Sequence, residues 1–364
     1  MRDAFEDVER FQKSLDILQQ QTNFPGATAA FILADGQCIE FATGYADREN
    51  QIAMTSDMRM LSGSVGKTFT SAVALDLVQE GKLNLDIPIA RWLAQEDWFS
   101  RLPNGENISL RMLLNHSSGL PNHNHNKRFS TTLRAAFSAD PPNSDFYFSP
   151  RKLLEFVLDQ QPLFPAGQGF AYSNTGYILI GLLIEQVSNN TYYEELQKRF
   201  LNPLSLNLTQ LANHRNIPHL SPGYLSPDNP LGLPEKNMKN GVLIFHPANE
   251  WTDGGLLTNP KDIVRWAKLL YEGRAMREAY VDNLLTAIPR NAAEKIDYGL
   301  GVTISETEFG KAYGHSGWTP GYQSIFKYFP NYKVAIAMQV NTSQDLDMAS
   351  CLQVLVKVIL GGKN

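Results

Sequence analysis

The stretch SVGKTFTSAVALDLVQEG at residues 64–81 is the part of the chain that decides the fold. Its apolar side chains are spread over nearly all sides of a helix: Val65, Phe69, Ala72, Val73, Leu75, Leu77 and Val78. A helix that is apolar all round belongs in a core. Ser64 and Lys67 open it, and residues three apart share a helix face, so that Lys67 leans back over Ser64. The stretch therefore predicts a buried helix that begins with a serine–lysine pair.

The beginning of a helix gives such a pair chemical consequences. Unpaired N–H groups and a partial positive charge disfavour an ammonium there, so a buried Lys67 is pushed toward the neutral amine that a general base requires. The same field stabilises negative charge that develops beside Ser64. Two other S-x-x-K matches fit less well: Ser149 precedes a proline and is expected to cap a helix, and Ser324 and Lys327 would point to opposite faces of a strand. The alternative is a lysine that extends from a helix end into solvent.

Composition excludes several classes of protein. The chain has 364 residues, of which 43% are hydrophobic and 19% charged, which is typical of a globular enzyme rather than of a disordered chain or a coiled coil. A net charge of −5 provides no basic surface for nucleic acid. Two cysteines, Cys38 and Cys351, are too few for a disulfide framework or a four-thiolate zinc site. Two free thiols are favoured over a Cys38–Cys351 pair.

Location stays open at this point. No apolar run approaches the roughly 20 residues of a transmembrane helix. The N-terminus, MRDAFEDVERF, is acidic where a signal peptide has a basic start and an apolar stretch. We expect either a cytoplasmic protein or a periplasmic or secreted one whose leader has been removed.

Strand signals lie toward both ends of the chain and helix signals in the middle. We predict a helix over residues 2–22, a hairpin around the Asp35-Gly36 turn, and a mostly helical section over about 85–215 with a helix at 178–187. Further predicted elements are strands at 299–304, 325–329 and 334–340 and a closing helix at roughly 343–360. This order predicts an α/β (α+β) fold in which both chain ends build one antiparallel sheet and the middle forms a second lobe.

A proline-rich segment interrupts this pattern. Six of the chain's 20 prolines fall between Asn216 and Asn249. We expect a long stiff loop without regular structure, which is either functional or a surface loop with no functional role.

Two more short segments carry chemistry. Tyr172, Ser173 and Asn174 follow a Pro- and Gly-containing loop, and a phenol can relay protons while an amide can hold a substrate carbonyl. His315-Ser316-Gly317 begins a strand-like segment, where a glycine lets backbone approach a ligand closely. Taken alone, each segment is more typical of an ordinary turn.

Taken together, the three segments resemble the penicillin-recognising serine hydrolases: serine β-lactamases, DD-peptidases and related esterases. The order of S-x-x-K, Tyr-Ser-Asn and His-Ser-Gly is similar to the branch of class C β-lactamases and DD-carboxypeptidases. The flanking sequences that look like this branch are LLNHSSGLP at 113–121, PAGQGFAYSNTGYILIGLLIE at 165–185 and GGLLTNPKDIVRWAKLL at 254–270.

The resemblance implies a fold and roles. It implies a β-lactamase/transpeptidase-like catalytic unit over 1–364, with an α/β lobe from 1–62 and about 250–364 and a helical lobe over about 63–249. Ser64 would be the acylated nucleophile, Lys67 and Tyr172 would share the general-base and proton-relay roles, and Asn174 would hold the substrate's amide side chain. The backbone N–H groups of Ser64 and Trp318 would form the oxyanion hole. No cofactor and no metal are implied.

The third motif departs from the K-T-G of β-lactamases. His315, with Ser316 and Gly317, stands where those enzymes have a fixed cation, and the charge of a histidine depends on pH near neutrality. We therefore expect a substrate carboxylate to be held less firmly at high pH, so that turnover of a peptide or cephalosporin falls as His315 deprotonates. This substitution argues against a dedicated β-lactamase.

Several functions remain in competition. The favoured activity is D-alanyl-D-alanine carboxypeptidase-like hydrolysis of a small-molecule or peptide substrate (a peptidoglycan stem peptide, an ester or a β-lactam). A carboxylesterase, amidase or D-aminopeptidase comes next, then a β-lactamase, and a receptor that binds peptidoglycan or β-lactam without turnover is the non-enzymatic alternative. A metal site at His116, His123 and His125 is disfavoured because no His-Glu-x-x-His helix is present. The oligomeric state stays open.

Overall fold

The computed structural model describes residues 4–139, 143–277 and 279–362. The α-helices are α1 (Ala4–Thr22), α2 (Gly66–Gln79), α3 (Ala90–Leu93), α4 (Leu110–Leu114), α5 (Lys127–Phe137), α6 (Pro150–Leu154), α7 (Asn174–Ser188), α8 (Tyr192–Leu196), α9 (Trp251–Gly254), α10 (Pro260–Tyr271), α11 (Val281–Leu284) and α12 (Met348–Leu360). The strands are β1 (Gly26–Ile32), β2 (Cys38–Asp47), β3 (Ile52–Ala53), β4 (Met60–Leu61), β5 (Gln210–Leu211), β6 (Met238–Lys239), β7 (Val242–Leu243), β8 (Leu256–Thr258), β9 (Ile288–Asn291), β10 (Ile296–Tyr298), β11 (Thr303–Thr307), β12 (Gly310–Thr319), β13 (Tyr322–Phe329) and β14 (Val334–Val340).

One large antiparallel sheet organises the described residues. Its nine strands run in the order β3-β2-β1-β14-β13-β12-β11-β10-β9. The β1–β2 hairpin closes around the Asp35-Gly36 turn with Ile32 opposite Cys38, as the sequence predicts. The other end of the chain joins this hairpin through β14, where Ala27 lies opposite Val340. The prediction of one antiparallel sheet built from both ends of the chain is confirmed.

Helices cover both faces of the sheet, which explains why its central strands are apolar throughout. Successive strand residues point to opposite faces. In β1, Phe31 packs in a cluster with Phe11 of α1 and Leu355 of α12. Its neighbour Ala30 belongs to the other cluster, together with Trp266 of α10. Every residue of β1 and β14 is consequently buried.

Element boundaries differ from the predictions where local hydrogen bonds compete with periodicity. Predicted strand 299–304 is shifted, because β11 spans Thr303–Thr307. The predicted closing helix at roughly 343–360 begins later, at Met348, because the Asp347 side chain accepts from the Ser350 N–H and so caps the helix there. The predicted first helix is observed from Ala4 onward, and its first two positions lie outside the described residues.

Two further predictions need correction or completion. The proline-rich segment is not wholly irregular, because it contains the short hairpin of β6 and β7 and a 3-10 turn at Pro247–Asn249. Both cysteines are free thiols: Cys38 is half-buried and Cys351 is buried. In the part of the chain that the structure describes, no helix has the length and apolar character needed to cross a membrane.

Candidate active site

Ser64 lies in a tight turn that leads directly into α2. A 3-10 turn spans Gly63–Val65, and α2 continues from Gly66, so the serine sits at the N-terminal end of a buried helix. Gly63 has a φ of +52°, and a Cβ added to it would lie 2.6 Å from the Trp318 nitrogen. A glycine is therefore required both by the backbone conformation and by the close approach of β12.

Lys67 is completely buried and points at Ser64. Its Nζ lies 3.0 Å from the Ser64 Oγ and donates to the Asp253 carbonyl at 2.6 Å. Burial lowers the pKa of Lys67 to about 8, an effect that the nearby carboxyl groups of Asp253 and Glu250 partly oppose. The predicted geometry of the pair is thus present, and the alternative of a lysine extending into solvent does not apply.

Tyr172 lies on the other side of the lysine. The Lys67 Nζ is 5.1 Å from the centre of the Tyr172 ring, and the His116 ring packs against the same phenol with centroids 4.2 Å apart. Burial raises the pKa of Tyr172 well above its ordinary value, and its interaction with the Ser64 side chain only partly offsets this. The phenol is consequently neutral around pH 7, as a proton donor or relay must be, which leaves Lys67 as the better general base.

Asn174 begins α7, two residues beyond Tyr172. Its Oδ1 is buried and has no hydrogen-bond partner among the described residues. Buried acceptors are normally paired, so this one is available to an N–H group that a substrate brings. Asn174 does not line the cleft described below, and its role in holding a substrate amide stays a prediction.

His315 differs most from expectation. It lies within β12, which begins five residues earlier than the segment predicted to start with it. Because a carbonyl only accepts, the Ser316 oxygen at 2.6 Å requires Nδ1 to donate, and Nε2 is left to accept from the Tyr298 hydroxyl at 2.7 Å. Burial and, secondarily, the charge of Lys67 lower the pKa of His315 to about 3. The expectation that this imidazole changes charge near neutrality is therefore wrong.

The edge of β12 contacts the Ser64 turn. The pairing of β12 with β11 ends at Gly314, whereas its pairing with β13 continues to Thr319. A Cβ added to Gly317 would lie 2.1 Å from the Ser62 carbonyl oxygen and 2.9 Å from the Ser64 nitrogen. The backbone of the free β12 edge thus contacts the backbone of the turn that contains Ser64, in the arrangement expected for an oxyanion hole.

An open cleft of about 340 Å³ lies over these groups. Its lining includes Ser64, Tyr172, His315, Ser316, Gly317 and Trp318. It also includes Arg290, an exposed residue on β9 that the sequence analysis missed. The Arg290 guanidinium brings to the cleft a positive charge that the neutral His315 does not provide.

The acidic residues beside the site were also not predicted from the sequence. Glu250 and Asp253 lie at the start of α9, and the Asp253 N–H donates to the Glu250 carbonyl at 2.8 Å. Burial raises the pKa of Glu250 to about 8 and that of Asp253 to about 7. A lone aspartate in the apolar context WTDGGLL at 251–257 was the available signal, since buried acids seldom occur without a reason.

Two of the three histidines considered for a metal site are engaged in other hydrogen bonds. His116 accepts from the Ser173 N–H at 3.2 Å, and the His123 Nδ1 lies 3.2 Å from the Thr175 hydroxyl. Within residues 4–139, 143–277 and 279–362, no group of three or more His, Cys, Asp or Glu side chains is arranged to hold a metal ion.

A serine held by a buried lysine, beside a phenol and a free strand edge, is an arrangement typical of the active site of a serine hydrolase. The chain belongs to the family described as Beta-lactamase, whose model matches residues 10–356. The predicted resemblance to the penicillin-recognising serine hydrolases, and the β-lactamase/transpeptidase-like fold that it implies, are thereby confirmed.

Individual relatives are distant. The chain is 23% identical to "Penicillin-binding protein 4*" of Bacillus subtilis over 98% of its own length and 76% of that protein. It is 26% identical to a D-aminopeptidase of Brucella anthropi over 87% of its length and 56% of that protein. Among solved structures, a D-stereospecific amidohydrolase from Streptomyces sp. superposes with a TM-score of 0.82 at 23% identity, covering 97% of this chain and 98% of that one. The D-amino acid amidase from Ochrobactrum anthropi SV3, complexed with L-phenylalanine amide, superposes with a TM-score of 0.80 at 23% identity, covering 99% and 100%.

Proposed function

We propose that this serine hydrolase cleaves amide bonds at D-amino acid residues through a covalent acyl-enzyme on Ser64. The observation that carries the proposal is the 3.0 Å contact between the Ser64 Oγ and the buried Lys67 Nζ. The relatives support the choice of substrate, since they include a D-aminopeptidase, a D-amino acid amidase and a D-stereospecific amidohydrolase.

The reaction follows from the positions of these groups. Neutral Lys67 takes the proton of the Ser64 hydroxyl as Oγ attacks the substrate carbonyl carbon. The N–H groups of Ser64 and Trp318 stabilise the oxyanion. As the carbon–nitrogen bond breaks, the leaving amine receives a proton that Lys67 passes through Tyr172. Water then attacks the carbonyl carbon of the ester while Lys67 takes a proton from it. Lys67 returns that proton to the Ser64 Oγ as the bond between Oγ and the acyl carbon breaks, which releases the carboxylic acid and regenerates the free serine.

Hydrolysis of D-alanyl-D-alanine ends, the activity favoured from sequence, is the second candidate. The observation in its favour is Arg290, whose guanidinium lines the cleft beside Ser64 and Tyr172 and suits the terminal carboxylate of such a peptide. His315 is buried and neutral, so Arg290 replaces it as the carboxylate-binding group in this candidate. His315, Ser316 and Gly317 then act by shaping the strand edge.

One panel of substrates tests these proposals. Purified protein is assayed with D-phenylalanine amide, an N-blocked peptide ending in D-Ala-D-Ala, p-nitrophenyl acetate and a chromogenic cephalosporin. We expect turnover of the amide to exceed that of the cephalosporin, and Ser64→Ala to abolish turnover of every active substrate. If Ser64→Ala keeps full activity, the acyl-enzyme is refuted. Turnover of the ester alone would favour an esterase, and binding without turnover a receptor.

A further inference from the structure

A second cavity, of about 250 Å³, opens beside the cleft that contains Ser64. Trp318 lines both spaces and forms the wall between them. We call this space the side cavity; its apolar lining includes Phe129, Leu133, Leu231, Phe245, Pro247 and Pro320. Its volume is at the small end of ligand pockets and matches one amino acid residue rather than a long peptide.

Glu250 and Asp253 are the two carboxyl-bearing residues in the lining of the side cavity, and we call the part that they line its acidic end. The other polar residues of the lining are Asn124, Ser130, His246 and Asn249. Asp253 is only 5% exposed, and its carboxyl group makes no hydrogen bond within the described part of the chain. Neither carboxyl group forms a salt bridge there, and the positive charge that acts on both is that of Lys67.

 Among the described residues, sixteen other acidic side chains do form salt bridges: Asp7, Glu40, Asp47, Glu49, Asp76, Glu80, Asp86, Glu96, Asp145, Glu155, Asp159, Glu195, Glu235, Glu272, Glu306 and Glu308. Glu250 and Asp253 are thus acids without an ion-pair partner.

Both acidic residues lie close to Ser64. The Asp253 carbonyl accepts from Lys67, which in turn contacts Ser64. A Cβ added to Gly254 would lie 2.8 Å from the Gly63 carbonyl oxygen and 3.0 Å from the Glu250 Oε2. A group bound at this acidic end is therefore within one residue's reach of a carbonyl carbon at Ser64.

We propose that the side cavity binds the residue on the acyl side of the scissile bond, with its free protonated amine at Glu250 and Asp253 and an apolar side chain against the aromatic wall. This inference rests on the proposed amide hydrolysis and names its substrate class: amides and short peptides of apolar residues with an unblocked N-terminus. An ammonium group supplies the ion-pair partner that these two carboxyl groups lack. An N-acylated residue brings no positive charge and leaves both groups unpaired.

The test compares two substrates that differ only at the amine, D-phenylalanine amide and N-acetyl-D-phenylalanine amide. They are assayed at pH 7, below the ordinary α-amino pKa of about 8. We expect kcat/KM to be at least about 10-fold higher for the free amine, since a hydrogen bond to a charged group contributes that much or more. Equal values for the two substrates would overturn the inference.

A variant then assigns the effect to the acidic end. Glu250→Gln is expected to reduce the ratio of the two kcat/KM values by about 10-fold or more, mainly through the KM of the free amine. The ratio cancels any change in the pKa of Lys67, because both substrates use the same base. Glu155→Gln, at an exposed carboxyl group, is the matched control and should leave the ratio unchanged. An unchanged ratio in Glu250→Gln would contradict the assignment.

Binding separates this inference from the proposed function. Ser64→Ala protein is titrated calorimetrically with the same two compounds at pH 7, where no turnover consumes them. Tighter binding of the free amine supports the side cavity even if the wild-type protein hydrolyses neither amide, an outcome that would refute the proposed function alone. Equal binding, or no binding of either compound, would overturn the inference whatever the catalytic result.

Discussion

The pH dependence of catalysis provides the sharpest test of Lys67 as the base. Burial lowers the pKa of Lys67 from an ordinary 10.5 to about 8. At pH 7 this raises the neutral fraction from about 1 in 3,000 to about one tenth. The neutral fraction reaches about one half at pH 8 and about nine tenths at pH 9. The active form of the enzyme therefore accumulates with rising pH.

The expected result is a single ascending limb in kcat/KM with an apparent pKa of about 8. The rate should increase about five-fold from pH 7 to 8 and less than about two-fold from pH 8 to 9. p-Nitrophenyl acetate is the substrate to use, because it carries no amine whose own titration would overlap, and its spontaneous hydrolysis is subtracted at each pH. A flat profile from pH 6 to 9, or a tenfold rise per pH unit that continues to pH 10, would refute the assignment.

Two variants test whether the ascending limb of the pH profile reports the titration of Lys67. Lys67→Arg keeps a positive charge at all these pH values, so we expect the limb to disappear and kcat/KM to fall by about 10²- to 10⁴-fold. Glu250→Gln removes a carboxyl group whose ionised form raises the pKa of Lys67, so the limb should move to lower pH. A limb that stays in place in Glu250→Gln would show that the carboxyl group does not act on the base.

Three further predictions concern the strand edge, the histidine and the fold. Gly317→Ala places a Cβ 2.1 Å from the Ser62 carbonyl oxygen, so kcat for the ester should fall by about 10²-fold or more in a protein whose circular dichroism is unchanged. The ring signals of His315 should not titrate between pH 5 and 9 in NMR spectra, because its pKa is about 3. Arg199→Ala leaves the nearly buried Glu195 unpaired and should lower the free energy of unfolding in urea by about 3 kcal/mol, whereas Arg101→Ala at an exposed ion pair should not change it.

The parts of the site that are local in sequence could be predicted. Ser64 and Lys67 are one helical turn apart, so helix geometry alone brings them together. The β1–β2 hairpin depends on a short local turn that contains Asp35 and Gly36 and was equally accessible. The charge of His315 was not, because it depends on burial in the folded protein and on the charge of Lys67, which is distant in sequence. Motif position identifies such a residue, whereas its protonation depends on tertiary burial.

The substrate preference could not be predicted from the sequence either, because it also depends on tertiary packing. The side cavity draws its lining from separate parts of the chain, including Phe129 on α5, Leu231 in the proline-rich segment, Glu250 before α9 and Trp318 on β12. No spacing rule links these positions, since only the packing of the helical region against the sheet edge brings them together. The catalytic pair is therefore a property of one helix, whereas the choice of substrate is a property of the assembled fold. Substitutions at the side cavity should accordingly change which amide is cleaved, and those at Ser64 and Lys67 whether any is cleaved.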